Sequence, residues 1–213
     1  MKTSLPIILI ALALEGLAAT PPTPGHAEKY AITAIPAKMS AKLTVTSPSY
    51  KNGADIPYEN TQYRGNIFPG VIWSKGPDGT KSYVVIMQGG LGGVGEAVSG
   101  TSIHFTLMNV PAGVTSLATG LTTPPEGSVY GVNVHGDNQQ FAGPHTHGFT
   151  KHEYHLQVFA LDTVLPNDPK MSFETLEAGM TGHVLQSGEI VGLAAMDPDS
   201  PEAAQLKAAQ PKK

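Results

Sequence analysis

The sequence predicts one mainly β domain of the α+β class. Three observations lead there. Glycine (24 residues) and proline (18) are frequent enough to demand many turns. Charged residues make up only 14% of the chain. Short apolar or alternating runs recur between turn signals, the pattern of packed strands rather than long helices. A chain of 213 residues with 40% hydrophobic content can bury one core of ordinary size, and no linker splits it into two core-forming halves. The formal net charge of −4, without a basic cluster, argues against nucleic acid as a partner. Cysteine is absent, which excludes disulfides, thiolate catalysis, iron–sulfur clusters and cysteine-based zinc sites.

The elements follow in order. Lys2, the apolar residues 5–19 and the small residues after them read as a secretory signal peptide, with Gly16-Leu17-Ala18 or Gly25-His26-Ala27 as cleavage signatures. Glu15 interrupts the run, and an uncleaved N-terminal anchor is the competing reading. The expected organisation is a signal peptide over 1–27, a loosely ordered segment over 28–42, the folded domain over 43–195 and a tail over 196–213. The mature chain has no second long apolar stretch, so no integral membrane span is expected, and the protein is expected outside the cytoplasm, periplasmic or secreted. Leu43-Thr44-Val45-Thr46 reads as a first strand and 47–64 as a loop with an Asn52-Gly53 turn. Residues 68–73 are apolar and end in the only tryptophan. After the Gly76-Pro77-Asp78-Gly79 turn, 81–88 reads as a strong strand.

The glycine-rich run from Gln88 to Gly95 has no Lys-Ser/Thr behind it, as a nucleotide-binding loop needs, and reads as a surface connection. Residues 103–110 form the next strand, stopped by Pro111, and 117–136 is loop-rich. Ser172 caps a helix carrying Phe173, Leu176, Met180 and Val184. Residues 188–194 return as a short strand, and the tail from Pro198 is at most weakly helical.

Chemistry concentrates between Gly143-Pro144 and the strand that opens at His152. His145, His147, His152 and His155 fall within eleven residues. Imidazole can donate, accept, ligate a metal or carry charge near neutral pH. Alternation places His152, Tyr154, Leu156 and Val158 on one face of the strand and Glu153, His155 and Gln157 on the other. Gln88, His104 and the pair His152/Tyr154 are thus polar groups offered by three strands to one region.

An ordered series of motifs runs over most of the mature chain, from about Leu43 to Leu193. Asn66, Pro69 and Trp73-Ser74 come first, then Gly79-Thr80-Lys81-Ser82-Tyr83. His104-Phe105-Thr106-Leu107-Met108-Asn109-Val110-Pro111 follows, then Asn133, Gly136, Phe141 and Gly143-Pro144. His152-Glu153-Tyr154, the run from Val158 to Asp162, and Met180-Thr181-Gly182-His183-Val184-Leu185 complete it. In this the chain resembles the phosphatidylethanolamine-binding protein family, in its bacterial Raf-kinase-inhibitor-like branch. The resemblance implies a large central antiparallel sheet, a smaller sheet packed on it and a few peripheral helices. It implies a pocket for a small anion or phosphoryl head group, built from His104, Gly143, Pro144, His152 and Tyr154, with Gln88 beside them. It implies no cofactor, no catalytic residues, and a possible homodimer.

One departure stands out. The family's Asp-Pro-Asp-x-Pro element, whose carboxylates line the pocket, is replaced by Gln88-Gly89-Gly90. Losing carboxylates removes repulsion toward an anion, and also removes groups that orient and charge histidines. Two other readings stay open: a metal site using His145, His147 and Glu153, and a fold whose pocket is vestigial. The chain lacks a nucleophile-elbow pattern and a paired-carboxylate site, so the enzymatic reading is reduced to an uncharacterised hydrolase.

Overall fold

A computed structural model describes residues 25–136 and 140–209. The expected signal peptide falls on residues outside these, apart from Gly25–Ala27. The strands are β1 (His26–Ala27), β2 (Val45–Thr46), β3 (Val71–Trp73), β4 (Ser82–Gly90), β5 (Thr101–Pro111), β6 (Ser116–Leu117), β7 (Val129–Tyr130), β8 (His152–Leu161) and β9 (Val184–Ala194). The helices are α1 (Ala31–Ala34), α2 (Phe173–Met180) and α3 (Pro201–Ala209). The main sheet is antiparallel with strand order β1-β5-β4-β8-β9, and β7 adds a further pairing to β5. A second, three-stranded sheet has the order β2-β3-β6. The mainly β, α+β expectation therefore holds, with the small sheet packed on the large one.

β4 is the central strand because both of its faces are apolar. Tyr83, Val85 and Met87 share one core with Trp73, Val71 and Leu117 of the small sheet. Val84 and Ile86 face a second core, closed by Ala31 of α1, Ile35 at its C-cap, and Phe173 and Leu176 of α2. β8 alternates in the same way, with Tyr154, Leu156, Val158 and Ala160 toward the first core and Phe159 and Leu161 toward the second.

The structure corrects three sequence expectations. Residues 28–42, expected to be loosely ordered, are built into the fold. Ala31 and Ile35 are fully buried, and the α1 backbone donates to two buried glutamines, Ala31 N–H to Gln88 Oε1 (2.8 Å) and Ile32 N–H to Gln157 Oε1 (2.7 Å). Cleavage after Ala27 would remove β1, which pairs with β5 through His26↔Ser102 and Ala27↔Thr101. The last strand is longer than 188–194 because the helix ends sooner than its apolar spacing suggested. Ser172 does cap it, accepting from Thr175 N–H, but Gly182 takes a left-handed conformation (φ 78°) just beyond Met180, and Val184 opens β9 instead. Within the tail, Pro201–Ala209 form a regular helix, α3, anchored by buried Ala203.

Candidate functional site

A cavity of about 360 Å³ opens at the end of the main sheet where β4 ends and β5 and β8 begin. His104 reaches it through a bulge. Met87 pairs with Phe105 and Gln88 with Ile103, so His104 is an extra residue on β5 with no partner in β4. A bulge turns its side chain out of strict alternation, and His104 joins Tyr154 on the first-core side. The two rings meet edge to face with centroids 5.1 Å apart. Gly89 makes this approach possible: a Cβ there would sit 2.5 Å from the Tyr154 ring and 3.0 Å from His104 Nε2.

The backbone fixes each ring. His104 Nδ1 lies 2.7 Å from the Ala142 carbonyl, which can only accept, so Nδ1 carries the proton. Ala142 N–H in turn donates to the His104 carbonyl, clamping the incoming loop to β5. Burial lowers the His104 pKa from its ordinary value to about 4, against the opposing pull of the Ala142 and Gly143 backbone. His104 is therefore neutral near pH 7. His152 is held likewise, Nδ1 donating to the Gly90 carbonyl at 2.9 Å. Burial raises the Tyr154 pKa, with the Tyr63 and Tyr30 phenols adding to the effect. The His145 backbone hydrogen-bonds the Tyr154 oxygen, opposing that rise and thus acting as donor, which leaves the phenol proton for other acceptors.

The structure gathers some of the expected site residues and disperses others. His104, His152 and Tyr154 line the cavity together, and His145 and His147 stand at it as well. Gly143 and Pro144 are buried beside it and position the wall. Gly143 N–H donates to Asn66 Oδ1 (2.7 Å), while Gln62 Nε2 donates to the Gly143 carbonyl (2.7 Å). Gln88 does not belong to the pocket. Pairing sets Gly89 opposite Tyr154 and Gln88 opposite His155, so Gln88 faces α1. There its Nε2 donates to Thr101 Oγ1 (2.8 Å) and the Lys29 carbonyl (3.1 Å).

The metal reading with His145, His147 and Glu153 fails on the same alternation. Glu153 lines a separate cleft with Lys29, Tyr30 and the glycine-rich loop, on the far side of the sheet end. Among the described residues no group of three His, Asp or Glu side chains is placed to hold a metal ion.

His26, Gln62, His135 and Thr146 are among the lining residues unseen in the sequence. Each comes from a segment read as leader or loop, and only the fold brings them near β8. Six of the eight histidines thus surround one cavity, and among the described residues its wall carries no Lys, Arg, Asp or Glu.

The comparisons agree with this architecture. A family model described as phosphatidylethanolamine-binding protein matches residues 46–195. The chain belongs to this family. Similar relatives include a UPF0098 protein of Aquifex aeolicus, 33% identical over 159 residues and covering 72% of this chain and 88% of that one. The UPF0098 protein PH1269 of Pyrococcus horikoshii is 32% identical over 202 residues, covering 91% and 89%. A Mycobacterium tuberculosis protein named as a lipoprotein, LppC, is 28% identical over 135 residues, covering 63% of each chain. Among solved structures, the phosphatidylethanolamine-binding protein homologue CT736 of Chlamydia trachomatis aligns with a TM-score of 0.63 at 27% identity, covering 74% of this chain and all of that one. YbcL of E. coli, a member of the same family, aligns with a TM-score of 0.61 at 26% identity and the same coverage.

Proposed function

We propose that this family member binds a small anion bearing a phosphoryl group, such as phosphate or a phospholipid-type head group, and does not transform it. The observation that supports this most is the composition of the cavity wall: imidazoles from six positions and the Tyr154 hydroxyl, with no carboxylate among its described residues to repel an anion. Tyr154 O–H donates to an anion oxygen, and any imidazole that takes a proton adds a charge-assisted donor. The family to which the chain belongs is named for binding such a head group. His104 and His152 are each pinned through Nδ1, which preorganises the wall at little entropic cost on binding. The sequence carries no nucleophile-elbow pattern, which fits binding better than hydrolysis.

We place this activity outside the cytoplasm, on the strength of the N-terminal apolar run and the relative named as a lipoprotein. Among the described residues no helix is long and apolar enough to cross a membrane.

Isothermal titration with phosphorylethanolamine tests the reading. Saturable binding is expected, weakened about tenfold or more in His152→Gln, as loss of a hydrogen-bonded contact to an anion implies. A titration without heat or saturation at tens of millimolar ligand would reject it.

A further inference from the structure

His104 presents an unusual partner to an anion. Its Nδ1 proton is committed to the Ala142 carbonyl, so in the neutral ring Nε2 is a lone-pair acceptor. The ring lines the cavity, and Nε2 is the one nitrogen left to meet a ligand. The ring packs against Tyr154, the Ala142 and Gly143 backbone pull on it more weakly than burial, and among the described residues no carboxylate lines the cavity to stabilise an imidazolium. Burial reinforces this by holding the ring neutral near pH 7. Tyr154, by contrast, receives the His145 backbone on its oxygen and keeps its own proton to give. The deep wall therefore offers one acceptor and one donor side by side.

We propose that the His104 end of the cavity selects anions that still carry an ionisable O–H, favouring phosphate and phosphate monoesters over sulfate and phosphodiesters. This rests on the anion-binding reading above and deepens it. A monoprotonated phosphoryl group donates its O–H to His104 Nε2 while another of its oxygens accepts from Tyr154 O–H. Sulfate and a phosphodiester have no such proton near neutral pH, so each sets an oxygen lone pair against the Nε2 lone pair. That pairing leaves a buried acceptor unmet, the kind of mismatch on which proteins discriminate most sharply. The head group of an intact phospholipid is a diester, so the preferred ligand is a free phosphate or a monoester such as phosphorylethanolamine.

The test uses the unaltered protein and four probes at one ionic strength and pH 6.5: inorganic phosphate, phosphorylethanolamine, sulfate and glycerophosphorylethanolamine. The last carries the same ammonium group as phosphorylethanolamine on a diester, so it isolates the missing O–H. Phosphate and phosphorylethanolamine are expected to bind roughly tenfold or more tightly than the other two. A ¹⁵N spectrum of His104 should show Nε2 unprotonated in the free protein and hydrogen-bonded on phosphate binding. Equal affinity for all four probes, or a proton on Nε2 in the free protein, would overturn the selectivity and leave the anion cavity standing. Failure of all four to bind would overturn the cavity's proposed role, and the selectivity with it.

Discussion

The two faces of β8 carry the same residue types to different ends. On one face, His152 and Tyr154 look into a cavity whose described lining carries no fixed charge, and the imidazoles of His104 and His152 are tied to backbone carbonyls. On the other, His155 Nδ1 donates to Glu189 Oε2 (2.7 Å), its Nε2 lies 3.7 Å from Glu153, and its ring packs on Tyr30 at 3.8 Å. Burial and these two carboxylates push the Tyr30 phenol pKa up to about 12, so Tyr30 stays a neutral platform. Next to this group, Gln157 donates to Gln88 and both hold the α1 backbone. A carbonyl fixes a ring's orientation and leaves its other nitrogen open to a ligand. A carboxylate occupies the ring and spends it on structure. The histidine-dense segment therefore contributes one functional face and one load of internal cross-links.

Breaking the structural face should have the largest effect. Gln88→Leu leaves Ala31 N–H without its side-chain acceptor, takes a donor from the Lys29 carbonyl, and leaves Gln157 Nε2 and Thr101 Oγ1 with only long bonds to the His155 carbonyl (3.5 Å) and the Ala27 carbonyl (3.3 Å). A loss of about 4 kcal/mol in urea-unfolding stability is expected. Phosphate affinity of the protein that remains folded should be unchanged, since Gln88 lies across the sheet from the cavity.

The binding face has its own stability signature, in pH. An unfolded His104 titrates near 6.5 and the folded one near 4. Above 6.5 neither state is charged. As the pH falls from 6.5 toward 4 the unfolded chain takes up a proton that the folded protein refuses, so stability drops and then levels off. This loss amounts to about 3 kcal/mol for a fully buried ring. His104→Gln should remove that part of the acid loss, read as the difference between the two urea-midpoint profiles over this window. A profile parallel to the wild type would show that His104 is not held neutral by burial.

A smaller change sharpens the comparison at the strand end. Gly89→Ala places a methyl against the Tyr154 ring and His104 Nε2. We expect a cost of about 2 kcal/mol in stability, from overpacking, together with weaker phosphate binding. Gly90→Ala, one residue on, meets the Tyr30 hydroxyl instead and should spare the Tyr154–His104 contact.

Much of this was legible in the sequence, for physical reasons that also mark where legibility ended. The period of two along β8 correctly separated His152 and Tyr154 from Glu153 and His155, because a strand buried on both faces cannot slip by one residue. The Ser172 cap was readable because its partner, Thr175, is three residues away. The order of 28–42 was not, because its hydrogen-bond acceptors lie 57 and 125 positions along the chain. Gln88 was misassigned for a related reason. It is the last side chain before two glycines and looked like the group facing the pocket, whereas pairing gives that face to Gly89. The bulge at His104 and the inward placement of His26, Gln62 and His135 leave no local trace.

The most direct test of the account is a phosphate titration followed through assigned histidine ring resonances, with His155 and His183 as internal references on the structural side. His183 donates to Asp162 at 2.8 Å, away from the cavity. The account predicts saturable shifts at His104 and His152, with His155 and His183 stationary. Silence at His104 and His152, or equal movement at His155, would contradict it.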